Sequence, residues 1–165
     1  MKFLSFVNFY NRQIQKLMVA ILIVMLISMF IMILGRYIPF IPPFLWTLET
    51  VAFGMIWMTF LGASVALREK KHFYLDIVPE KIKERFSLFL YIVYAGSILI
   101  FTYVYIVYGF LYFKDWSLVQ NSEIMYINMG FVFFSVPLCG LNCLLFFIAE
   151  LVEKKLGIER QVNNE

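Results

Sequence analysis

The sequence predicts an all-α integral membrane protein with four transmembrane helices, and three observations carry that prediction. Of 165 residues, 62% are hydrophobic and only 15% charged, whereas a water-soluble domain carries about 25% charged residues. The charges are also segregated. Leu17–Gly35, Thr50–Leu67, Phe86–Phe113 and Ile124–Ala149 hold no Asp, Glu, Lys, Arg or His over 19, 18, 28 and 26 residues. Roughly 20 such residues, rising ~1.5 Å each, cross a ~30 Å hydrocarbon core. Lastly, the runs are continuous, whereas barrel strands give alternating segments of about ten residues. The longest polar connection is Arg68–Arg85, which leaves no room for a soluble domain. Residues 1–165 therefore read as one membrane domain, with spans near 17–35, 46–67, 86–113 and 124–149.

Ahead of span one, Phe3, Val7, Tyr10, Ile14 and Leu17 recur at steps of four and three, with Asn8, Arg12, Gln15 and Lys16 on the other side. This spacing predicts an amphipathic helix lying in the membrane interface. A plain cytoplasmic tail is the competing reading. Span one is too long for a signal-peptide core, and Arg36-Tyr37 follows it instead of a small-residue cleavage site, so it reads as a retained helix. Arg36 and Glu49 bracket the next connection, "RYIPFIPPFLWTLE". They pair across its mouth, meet a partner, or sit solvated at the interface.

Span two ends in "FLGASVALREKKHFYLDIV". Gly62, Ala63 and Ala66 give it a small face that admits another helix closely. Arg68, Lys70 and Lys71 mark a cytoplasmic exit, with His72 and Asp76 at the headgroup boundary beyond. Pro79 suits the first position of the next helix and Glu80 its first turn. In span three Tyr91, Tyr94, Ile98, Phe101, Tyr105, Tyr108 and Tyr112 recur at alternating steps of three and four. That traces one packing seam, and buried tyrosines need a hydrogen-bond partner that lipid does not supply. The seam faces either the other three helices or a second protein. At 28 residues the run measures about 42 Å as a helix, so it tilts or extends past the bilayer. Span four contains Pro137, a candidate kink.

Lys and Arg counts set the orientation. Twelve fall before span one, between spans two and three, and after span four; two, Arg36 and Lys114, fall in the other connections. The positive-inside rule places both termini and the middle connection in the cytoplasm. The net charge of +3 is thus a topology signal and does not point to nucleic acid. Chemistry is sparse: one His and two Cys do not make a metal site, and no cofactor motif is present. Cys139 and Cys143 share a helix side, which favours packing over redox work. The spans hold only neutral polar groups and show no inverted repeat, so the chain alone is poorly equipped to bind and move a solute.

The layout resembles the small, DctQ-like membrane subunit of tripartite ATP-independent periplasmic (TRAP) transporters. The residues that carry the likeness are Arg36-Tyr37 after span one, Trp46 and Glu49 opening span two, the Gly-Ala helix end running into Arg68, His72 and Asp76, and "NSEIMYINMGFVFFSVPLCGL" leading into span four. The resemblance implies a large multi-span subunit holding the sodium and substrate sites, and a periplasmic binding protein delivering an acidic solute. Such a solute is a C4-dicarboxylate or sialic acid, and overall likeness within the family points to the sialic-acid type. It implies a bacterial inner-membrane scaffold that is neither an enzyme nor cofactor-dependent. Tyr91, Tyr94, Phe101, Tyr105, Tyr108, Tyr112, Gly62 and Ala66 would then meet the partner, and Arg36 and Glu49 the docking binding protein. The charged tail ending at Glu165 suggests a separate chain over a fusion. Two other readings stay open: a self-sufficient homo-oligomeric transporter or channel with Glu49 as coupling carboxylate, and a membrane redox enzyme using Cys139 and Cys143.

The orientation has a direct check. Lys70→Cys and Asn163→Cys are expected to be shielded from a membrane-impermeant thiol reagent added outside, and Pro42→Cys and Ser117→Cys to be labelled; the reverse pattern would invert every interface assignment.

Overall fold

A computed structural model describes residues 2–38, 44–69, 80–117 and 119–155. The chain is all-helical: α1 is Lys2–Tyr37, α2 Trp46–Arg68, α3 Glu80–Ser117, α4 Met129–Phe133 and α5 Ser135–Lys155. Among the described residues four helices are long and apolar enough to cross a membrane, α4 and α5 together forming the fourth. The only β contact among the described residues is an isolated antiparallel bridge between Asn121 and Asn128. The helices stand in the order α1, α2, α5, α3, with α1 and α3 at the two edges and not packed on each other.

The segment ahead of span one is helical and continuous with it. No Pro or Gly interrupts residues 2–34, so nothing ends the helix, and its 36 residues reach about 54 Å. Its inner face is Leu4, Val7, Asn11 and Ile14. Relative to the expected face it is rotated toward Leu4 and Asn11, leaving Phe3 and Leu17 exposed. These residues pack with Leu61 and Val65 of α2 and with Phe146 and Ala149 of α5. Higher up, the small residues of α2 let α1 approach: a Cβ on Gly54 would lie 2.5 Å from Met25 Cγ, and one on Gly62 3.4 Å from Met18 Cε.

The α3–α5 pair is closer still. A Cβ on Gly140 would sit 3.1 Å from the Ile106 backbone nitrogen, and one on Gly109 3.0 Å from that of Pro137. Two glycines therefore bring backbone against backbone, the form of packing open to helices that gain no hydrophobic drive from lipid. Helix α3 runs 38 residues, about 57 Å, longer at both ends than its charge-free run. The fourth span starts at Met129, five residues after the run begins, because Asn128 caps it. The Asn128 side chain accepts from the Gly130 N–H at 2.7 Å and donates to the Ser117 carbonyl at 2.6 Å. The jog at Phe134 is explained by Pro137, which has no N–H to offer the carbonyl four residues back. The ladder resumes with the Leu138 N–H donating to Phe134 O at 3.2 Å.

At one end of the row a polar cluster joins α1, α2 and α5. Arg68 Nη1 and Nη2 donate to the Glu153 Oε2 and Oε1 at 3.1 and 2.7 Å, and Nη2 also donates to Asn8 Oδ1 at 2.9 Å. Both side chains are buried, at 2% and 9% exposure. Gln15 donates to Glu69 beside them. Nearby, Tyr94 donates to Glu150 at 2.9 Å, Tyr10 to Asn142 at 2.9 Å, and Lys154 Nζ stands 3.4 Å from the Tyr91 ring centroid. Asn8 and Gln15, expected on the outward side of α1, are thus turned to the end of α2.

Removing one partner of a buried ion pair typically costs about 3–5 kcal/mol, since the other charge stays behind unpaired. Arg68→Leu and Glu153→Leu singly are therefore expected to lower the detergent-solubilised chain's unfolding temperature strongly. The double variant should recover a large part of the loss; equal losses in all three would show that the pair is not coupled.

Candidate partner-binding surface

Most polar groups inside the spans are consumed locally. Thr50, Thr59, Ser64, Ser97 and Ser135 hydroxyls donate to backbone carbonyls three or four residues back, at 2.7–2.9 Å. Among the described residues no three His, Cys, Asp or Glu side chains converge as a metal site would need. Cys139 and Cys143 are free thiols with sulfurs 4.0 Å apart, and Cys143 packs beside Leu67, Ile98 and Phe147. This interior is a set of helix contacts.

At the α2 start, Glu49 holds the α3–α4 connection. Its carboxylate accepts from the Ser122 hydroxyl and from the backbone N–H groups of Ile124 at 3.2 Å and Met125 at 3.0 Å. The pairing with Arg36 considered from sequence is not formed. Arg36 lies exposed in the last turn of α1, and Glu49 is turned to the loop across from α2. A carboxylate that gathers three donors from one loop fixes that loop's position over the end of α2. Within it Tyr126 takes φ 53°, a left-handed conformation uncommon for a bulky residue, and presents its ring outward.

The tyrosine seam divides. Tyr91, Tyr94, Ile98 and Tyr105 turn inward: Tyr94 reaches Glu150, Ile98 is buried with Leu67 and Phe147, and Tyr105 meets Phe60 edge-on at 6.0 Å beside Gly140. Phe101, Tyr108 and Tyr112 are exposed, although the Tyr112 ring also stacks on Trp116 and touches Phe133. The reason is periodic. Alternating steps of three and four average 3.5, which drifts about 20° per heptad against a straight helix. The face that meets α5 instead advances through Ile98, Thr102, Ile106, Gly109 and Phe113, mostly by fours. Of the small-face residues, Gly62 is directed at Met18 of α1 within this chain, and Ala66 is half-buried.

Arg68, read from sequence as a cytoplasmic exit marker, is a buried junction between helices. Lys70, Lys71, His72 and Asp76 lie outside the described residues. Sequence reasoning missed Asn8, Glu150 and Glu153. Their signal was present, since two carboxylates three apart close the last apolar run while an arginine closes the second, but charges at span ends were all assigned to topology.

What remains on the outside is broad and apolar. Leu22, Ile23, Leu26, Ile27 and Phe30 of α1 are exposed, as are Ile100, Phe101, Tyr103, Val107, Tyr108 and Leu111 of α3. Between α1 and α2 an open apolar groove of about 210 Å³ is lined by Ala20, Ile21, Val24, Met25, Thr50 and Gly54. Lipid accepts such surfaces, and so does a second membrane protein.

No individual curated protein and no solved structure matches the chain. A family model does: that of the "Tripartite ATP-independent periplasmic transporters, DctQ component", over residues 25–156. The matched stretch takes in α2, α3, α4 and α5 whole, with the Glu49 latch and the Arg68–Glu153 pair inside it. This is well over half of the chain, and a family of transporter components points away from enzyme activity. The protein is a multi-pass membrane protein belonging to the DctQ family, the small membrane subunit of TRAP transporters.

Proposed function

We propose that the chain is the small permease subunit of a sodium-coupled, binding-protein-dependent secondary transporter in the bacterial inner membrane. Its cargo is an acidic solute of the C4-dicarboxylate or sialic-acid type. Its role is that of a membrane scaffold against which a large multi-span subunit works, while a periplasmic binding protein delivers the solute. The observation that carries the reading is the disposition of polar groups. The Thr59, Ser64, Ser97 and Ser135 hydroxyls are tied to their own helices, and the buried Arg68 and Glu153 charges are bonded to one another. An ion-coupled carrier keeps ionisable groups or broken helices available near the midplane. A scaffold needs rigid helices with apolar outer faces, and α1 and α3 offer those at the edges of the row.

The self-sufficient carrier with Glu49 as coupling group is less well supported. Glu49 is in the first turn of α2, and its carboxylate is committed to Ser122, Ile124 and Met125. In this proposal Arg36 and the loop held by Glu49 face the binding protein, and Phe101, Tyr108 and Tyr112 face the large subunit.

Sodium-driven uptake into vesicles is expected to require this chain, the large subunit and the binding protein together. At matched assembly, Glu49→Gln should weaken docking of the binding protein and leave sodium coupling intact. Uncoupling with docking intact would place part of the ion site here and end the scaffold reading.

The divided seam separates two effects. Tyr105→Ala should lower the thermal stability of the isolated subunit, through the lost Phe60 and Gly140 contacts, by an amount typical of a large-to-small core change, ~3 kcal/mol. Tyr108→Ala should leave that stability unchanged and reduce co-purification with the large subunit. If Tyr108→Ala assembles normally, that side of α3 faces lipid only.

A further inference from the structure

We propose that the outer stripe of α1 running from Arg12 to Ile23 is an anionic-lipid site. Arg12 and Lys16 hold the headgroup phosphate, and Val19 and Ile23 lie against the acyl chains. With Leu4, Val7, Asn11 and Ile14 turned into the bundle, the 100° step of a helix puts Arg12, Lys16, Val19 and Ile23 in one stripe on the outer side. All four are exposed, Val19 at 56% and Ile23 at 51%. The sequence holds no Asp or Glu before Glu49. Glu69, which does reach α1, accepts from Gln15 on the inner flank, and among the described residues no ion pair meets Arg12 or Lys16.

Water disfavours Val19 and Ile23, and hydrocarbon disfavours the two cations that precede them on the same stripe. The headgroup–acyl boundary satisfies both. The sign of the charge then selects among headgroups, because a phosphate without a compensating ammonium gains from each nearby Lys or Arg. Residues four apart on a helix are neighbours, about 5–6 Å between Cβ atoms, so Arg12 and Lys16 converge on one phosphate. The site adds to the scaffold reading and does not depend on the cargo.

The test is native mass spectrometry of the full chain released from micelles with equimolar phosphatidylglycerol and phosphatidylcholine. The wild type is expected to retain phosphatidylglycerol preferentially. Arg12→Gln and Lys16→Gln should each reduce that preference by about fivefold, and the pair by about 25-fold. Arg12→Lys with Lys16→Arg should keep it, which separates charge recognition from misfolding. Ile23→Ser should lower retention of both lipids alike. Equal retention of the two lipids by the wild type, or an unchanged preference in the double Gln variant, would overturn the proposal. So would displacement of the lipid by excess inorganic phosphate, which would mark a free-anion site. Loss of an acidic co-purifying protein in the double Gln variant, with lipid preference unchanged, would assign the face to a protein and overturn it equally.

Discussion

A guanidinium at the end of a membrane helix has two ways to stay charged: reach the aqueous boundary, or be met inside by an acid. Arg68 takes the second. Glu153 binds it through both oxygens while Asn8 accepts a further hydrogen bond, so α1, α2 and α5 are brought to a common end. Gln15 with Glu69, Tyr10 with Asn142 and Tyr94 with Glu150 surround that junction. Without it, α1 would be held to α5 by the Tyr10–Asn142 hydrogen bond and apolar contact, and apolar contact discriminates poorly between a neighbouring helix and a lipid chain.

The rest of the row is organised by closeness. Gly109 and Gly140 allow α3 and α5 to touch along their backbones, and Gly54 and Gly62 let α1 close on α2. Large side chains displaced from these contacts have to go somewhere, and they cover the outward faces of α1 and α3. The apolar exterior proposed to serve assembly is thus the counterpart of small-residue packing inside. At the other end, one carboxylate does for the α3–α4 loop what Arg68 does for the helix ends: Glu49 collects the loop's donors and ties it to α2.

The number, type and approximate position of the spans were legible because hydropathy over about twenty residues is a summed property that no single contact overrides. Faces were less legible. The step pattern of Tyr91 to Tyr112 traces a seam, but which residues of a helix face inward depends on the neighbour's shape. Gly140 pulled the contact toward Ile106 and left Tyr108 outside. The inner face of α1 departs from its polarity pattern in the same way, since Asn8 and Gln15, expected outward, are turned to the end of α2. Asn128 set the start of the fourth span through a cap, a local hydrogen bond that a run of apolar letters conceals. The Arg68–Glu153 pair joins residues 85 apart in sequence, and although each closes an apolar run, only the packing of α2 on α5 makes them partners.

The helices differ greatly in how much of themselves they spend on the protein. Of the most apolar stretch of α1 only 6% is buried, against 44% for the fourth span. A side chain that meets lipid is constrained in hydropathy and hardly at all in shape, whereas one wedged between backbones is constrained in both. Leu, Ile, Val, Met and Phe are therefore interchangeable along most of the outer side of α1, while Gly140 and its surroundings tolerate little. Mutational drift in this protein should be graded across the row, fast at the α1 edge and slow where α5 is enclosed. The two edges are then separable by rate alone: an edge that changes as slowly as the enclosed helix is one that something other than lipid is holding still.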